Sequence, residues 1–208
     1  MIPKYEITDI QHPENPKLFR IRALRDTQLA LVNAGALGGY VENENNLSQK
    51  GDCWIGVYAR VYENSQIYGN AQIYGNSQVS GNTRIFGEAQ IYGNTRIFGE
   101  AQIYGRARVF DDSQIFGEAK IYNTAWVSGD ARISGNVQVS GDVHVRGDII
   151  LIEDMRILGS RGIIITSPDQ IYYADGVTAY FNLNGELTVN GSSPDIEHHK
   201  MLARLKLS

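Results

Sequence analysis

Proton transfer, nucleophilic attack and metal binding near neutral pH draw on histidine, cysteine and closely set carboxylates. The 208 residues hold four histidines and one cysteine. His12 opens the turn His12-Pro13-Glu14-Asn15-Pro16, and His198 and His199 lie near the C-terminus. His144, between Val143 and Val145, is therefore the candidate catalytic base, its alternative being a solvated surface residue. Asp142 is near it in sequence, but no motif sets a carboxylate beside it. The lone Cys53 excludes an internal disulfide framework and a cysteine-cluster zinc site, and reads as a small core residue. Asp112, Asp130 and Asp148 recur at intervals of 18. Such a row is either a solvated acidic edge or a set of oxygen ligands for a divalent ion. No calcium-binding glycine–aspartate repeat, phosphate loop or dinucleotide fingerprint is present, so no metal or cofactor is expected from motifs.

Composition narrows the partners. Lys+Arg is 19 against Asp+Glu 23, a net charge of −4, too mild for a polyanion binder or an acidic mimic of nucleic acid. Residues 51–150 carry 8 basic and 10 acidic side chains, so no basic stripe is available to track phosphates. Apolar residues are 42% of the chain, enough for a substantial core. No signal region or membrane-length apolar stretch is visible, which predicts a soluble cytoplasmic protein with no nucleic-acid or membrane partner.

The elements that position these residues follow from one repeat. From Ile55 to Val145, all 16 positions at six-residue steps are Ile or Val. Four residues after each comes a small side chain, from Ala59 to Ala131, thickening to Val137, Val143 and Ile149. Two residues after each comes Gly in 12 of the 16 units, with Asp111 and Asn123 among the substitutes and only Val57 and Glu63 off pattern. That position therefore demands positive φ. A period of six fits neither a helix nor simple alternation. It fits a short strand, a turn and another short strand. Three such sides close a coil, so the chain is predicted to be all-β, a rod of about five coils.

Units such as Ile67-Tyr68-Gly69-Asn70-Ala71-Gln72 resemble the hexapeptide-repeat left-handed parallel β-helix, and the left hand is what that resemblance implies. A narrower resemblance rests on Lys4-Tyr5-Glu6, Arg20–Leu24, Leu37–Tyr40 and Asn46–Ser48. These are similar to the opening of bacterial and prophage hexapeptide-repeat proteins, often labelled transferases. The resemblance implies a phage or prophage origin and carries no secure activity. Acyltransferases built on this helix use a histidine as general base and bind acyl-CoA between subunits, often with a long loop thrown out of the coils. Residues 55–149 leave no room for such a loop.

Residues 18 apart stack in such a rod, so outward rows can be read directly. Tyr68, Phe86, Tyr104 and Tyr122 form one aromatic column, Tyr74, Tyr92 and Phe110 a second, Phe98 and Phe116 a third. Stacked rings either simply stabilise the coils or form an apolar stripe for a partner. Arg60, Gln78, Arg96, Gln114 and Arg132 alternate charge with amide, which keeps like charges apart.

Solenoid ends need covering. Residues 1–54 read as an N-terminal cap with a hairpin, 55–150 as the β-helix, and 151–208 as a C-terminal sheet and helix that caps or oligomerises. Strands are predicted at Ile163–Thr166, Gln170–Ala174, Thr178–Leu183 and Glu186–Asn190, with a hairpin turn at Asn184-Gly185 and a helix from Ser193. The expected role is a non-catalytic binding or scaffold protein. It would engage a host protein, such as a defence component, through a rigid face and assemble as a dimer or trimer. The alternatives are an acyltransferase using acyl-CoA and His144, and a virion or surface spacer.

Overall fold

In the computed structural model, residues 2–152, 156–167, 170–173, 178–181 and 187–190 are described, with backbone alone beyond residue 158. The six-residue period becomes geometry in its simplest form. Most units contribute a two-residue strand, polar then aliphatic, such as Gln72–Ile73, Gln90–Ile91 and Arg96–Ile97, with the aliphatic side chain fully buried. A turn follows, and three strands complete a coil. Each strand then pairs in parallel with the one eighteen residues on, as in Ile73↔Ile91↔Val109↔Val127. The result, among the described residues, is a parallel β-solenoid of about six turns.

Its three faces each carry one ladder. The first runs through Arg60–Val61, Gln78–Val79, Arg96–Ile97, Gln114–Ile115 and Arg132–Ile133. The second runs through Gln66–Ile67, Arg84–Ile85, Gln102–Ile103 and Lys120–Tyr122. The third runs through Trp54–Ile55, Gln72–Ile73, Gln90–Ile91, Arg108–Val109 and Trp126–Ser128. Inside, the aliphatic columns are filled out by small residues from Ala59 to Ala131, all fully buried. Inward hydroxyls find partners there: Thr95 Oγ1 donates to Ser77 Oγ at 2.9 Å, and Ser77 Oγ to the Tyr74 carbonyl at 2.6 Å. A buried hydroxyl costs little once hydrogen-bonded.

The turn position does take positive φ, and Glu63 belongs to it, with φ 56° beside Asp111 at 61° and Asn123 at 58°. Each of these three side chains reaches the next coil. Glu63 Oε2 accepts from Gly81 N–H at 2.6 Å, Asp111 Oδ2 from Gly129 N–H at 3.0 Å, and Asn123 Nδ2 donates to Ser140 Oγ at 2.7 Å. The strain of a left-handed residue is offset by a bond across the rung.

The inward row is longer at both ends than the uninterrupted period suggests. Val41 and Leu47 are fully buried at its start, and Leu151 and Ile157 at its end. The step from Leu47 to Ile55 is eight residues, so two extra residues hide the first coil from a strict six-residue count. Leu47 accordingly bridges to Ile67, twenty residues away. A matching offset occurs near the other end, where Gly141↔Gly159 is followed by Val143↔Ile163.

The N-terminal cap is a hairpin of β1 (Tyr5–His12) and β2 (Asn15–Ala23), as the alternation predicts. Strand β3 (Leu37–Val41) pairs antiparallel with β2 and parallel with Arg60–Val61, joining cap and rod in one sheet. Lys4 and Tyr5 close the end of the core. Lys4 is fully buried and its Nζ donates to the Cys53 carbonyl at 2.8 Å and contacts Sγ at 3.0 Å. The Tyr5 hydroxyl donates to the Leu47 carbonyl at 2.6 Å. At the other end Arg156–Ser167, Gln170–Tyr173, Thr178–Phe181 and Leu187–Asn190 form a sequential antiparallel sheet. The helix expected from Ser193, with His198 and His199, and the Asn184-Gly185 turn lie outside the described residues.

Candidate functional site: the outward rows

The second face carries the most regular side-chain array. Tyr68, Phe86 and Tyr104 are held one coil apart by amides that donate to the Ile85, Ile103 and Ile121 carbonyls at 3.0–3.1 Å. Their rings, with Tyr122, stack at centroid distances of 4.8, 4.9 and 4.9 Å and interplanar angles of 4°, 3° and 8°. The four rings therefore cover one another's faces and turn their edges, with three hydroxyls, toward solvent. An array of this kind cannot offer an interior ring face to a flat ligand. It offers a half-buried apolar stripe of fixed spacing. Burial pushes the Tyr68 and Tyr104 hydroxyls above their usual pKa. Beside the stripe runs a polar groove of about 530 Å³ lined by Asn64, Gln66, Asn82, Arg84, Glu100 and Gln102.

The third face differs from a simple column. Tyr92 and Phe110 stack at 4.8 Å, but Tyr74 turns toward the cap, its hydroxyl 3.5 Å from the Ala30 carbonyl and its ring beside Gly56. Higher up, Trp126 is sandwiched, with the Arg108 guanidinium 5.0 Å from its centroid on one side and His144 stacked at 4.5 Å and 3° on the other. Phe110 meets the indole edge-on at 6.4 Å. Asp142 Oδ1 lies 3.7 Å from His144 Nε2. The spacing of 18 places Arg108, Trp126 and His144 in one row. The carboxylate arrives because residues two apart in a strand share a face.

The acidic row is tied to an amide ladder. Asn76 Nδ2 donates to Asn94 Oδ1 at 3.0 Å, and Asn94 Nδ2 to Asp112 Oδ1 at 3.0 Å. Asp112 and Asp130 border a groove of about 340 Å³ whose other wall includes Arg96 and Arg132, so basic side chains oppose the carboxylates. Asp148 is exposed one rung further on. Among the described residues no group of three or more His, Cys, Asp or Glu is placed to hold a metal ion. Cys53 is fully buried at an inward small position.

The family model described as YdcK beta solenoid repeat matches residues 65–81, 101–117 and 125–141. Each stretch spans most of one eighteen-residue coil. No curated protein matches the chain. The match and the structure together make this a repeat β-solenoid protein, and neither addresses a transferase activity. Among the described residues no helix is long and apolar enough to cross a membrane.

Proposed function

We propose that this β-solenoid repeat protein is a non-catalytic binding scaffold that presents a rigid face to a protein partner. The observation that carries this reading is the Tyr68–Phe86–Tyr104–Tyr122 row, four rings locked in one line at the rung spacing. Each ring is fixed by a backbone ladder before any partner arrives, so little side-chain entropy is lost on binding. Tyrosine edges supply apolar contact with hydroxyls at the rim, the chemistry that recurs at protein interfaces. The resemblance to prophage proteins points to a host protein as that partner, and the aromatic rows offer self-pairing surfaces for assembly as a dimer or trimer.

The experiment is a capture from host lysate with the wild type and with Tyr68→Ser/Phe86→Ser/Tyr104→Ser, folding being checked by circular dichroism. Loss of a captured protein from the folded triple variant is the expected result. Retention of every captured protein overturns the reading. The His144–Asp142 approach at 3.7 Å favours a second reading, a base for acyl transfer from acyl-CoA. Calorimetric titration with acetyl-CoA separates the two, because the scaffold reading expects no binding heat.

A further inference from the structure

Rings that sit just after the aliphatic residue on successive coils stack at 4.8–4.9 Å in five pairs, as Tyr92 does on Phe110 and Phe98 on Phe116; the exception is Tyr74, which turns from Tyr92 toward the cap. On the first face that series reads Tyr62, Ser80, Phe98, Phe116. Ser80 is the one small residue in the three series with an aromatic residue on both neighbouring coils. The backbone does not slip there. Tyr62 N–H donates to the Val79 carbonyl at 3.0 Å and Ser80 N–H to the Ile97 carbonyl at 2.9 Å. A ring is therefore missing from a place that the repeat itself provides.

The space it leaves is a cavity of about 330 Å³ lined by Tyr62, Ser80 and Phe98, with Gln78 and Arg96 alongside. We propose that this slot binds one planar aromatic ring, inserted over Ser80 between Tyr62 and Phe98. The distance to be filled is two rung steps, which admits one ring and not two. Gly81 and Gly99 also border the slot and add no side chain to its lining. Glu63 Oε2, bonded to Gly81 N–H at 2.6 Å, fixes one wall. Arg96 and Gln78 offer donors to a hydroxyl or ring heteroatom, so the occupant is a phenol or heteroaromatic ring with one polar substituent. The slot lies on a different face from the Tyr68 row and does not depend on that row's role.

The test is an NMR titration of the isotope-labelled full chain with p-cresol, a free ring, and with N-acetyltyrosine amide, a ring on a polypeptide backbone. Saturable shifts at the Ser80, Gly81 and Gly99 amides are expected in the millimolar range, as suits a single ring. Ser80→Tyr completes the row, so it should raise the melting temperature and weaken probe binding by about tenfold or more. Ser80→Ala keeps the slot open and should retain wild-type affinity. A response to both probes, or to p-cresol alone, assigns the slot to free aromatic molecules. A response to the tyrosine amide alone assigns it to a partner's side chain. Absence of saturable shifts at these amides in the wild type, or unchanged binding in Ser80→Tyr, overturns the proposal.

Discussion

At Gly93 the backbone holds φ +86°, and a Cβ added there would lie within 2.9 Å of the Asp111 backbone on the next coil. Gly35 has nearly the same φ, +87°, with nothing within 4 Å of the added atom. The pair separates conformational strain from collision. Gly35→Ala should cost about 1 kcal/mol and Gly93→Ala about 2–4 kcal/mol, read from urea unfolding. Lys4 shows a second residue-scale effect. Burial lowers its pKa from 10.5, against the opposing pull of Cys53. The unfolded chain then keeps a proton that the folded one has released, so stability rises with pH between the lowered value and 10.5. Tyr5 and Tyr74 move the opposite way, burial raising both above 10.0. Their contribution is complete below pH 10.0 and is lost as pH climbs past it. Thermal melts across pH should peak just below 10, and Lys4→Met should remove the rise while leaving the alkaline fall. The turn glycines were legible in the sequence, because a required positive φ leaves a compositional trace. The burial of Lys4 was not, since nothing in Lys4-Tyr5-Glu6 says that this segment crosses the end of the core.

A coil is the element here, and its two kinds of side chain make different contributions. Ile91 is fully buried, so Ile91→Ala leaves a cavity and should cost about 2–5 kcal/mol. Phe86 is half-buried and stacks on both Tyr68 and Tyr104, so Phe86→Ala should cost about 1–3 kcal/mol from the two lost pairs. Equilibrium unfolding of both variants checks the order. A Phe86 effect larger than that of Ile91 would make the row chiefly a stabilising device. The ladder register was readable because an inward position tolerates only aliphatic or small residues, which marks every sixth and the fourth after it. Val41 and Leu47 escaped because the step to Ile55 is eight residues, and a strict period stops at any insertion. Tyr74 has the same sequence surroundings as Tyr92, yet it leans on the cap through Ala30, a contact that local spacing does not encode.

Across the whole molecule, regularity is the feature on which the proposed scaffold role rests. Three parallel ladders hold outward side chains on a lattice, and the cap hairpin and C-terminal sheet cover strand edges that would otherwise recruit other strands. The rows of this lattice could be read from the sequence once the period was known. Which row meets a partner could not, because a stripe that stabilises and a stripe that binds use the same residues. Site-specific photocrosslinking in host cells separates them most directly, with a benzophenone amino acid replacing Tyr104 on the second face or Phe116 on the first. The scaffold account predicts a discrete adduct to another polypeptide from position 104 that is absent from position 116. Identical adducts from both positions, or none from position 104 in a folded protein, would contradict it.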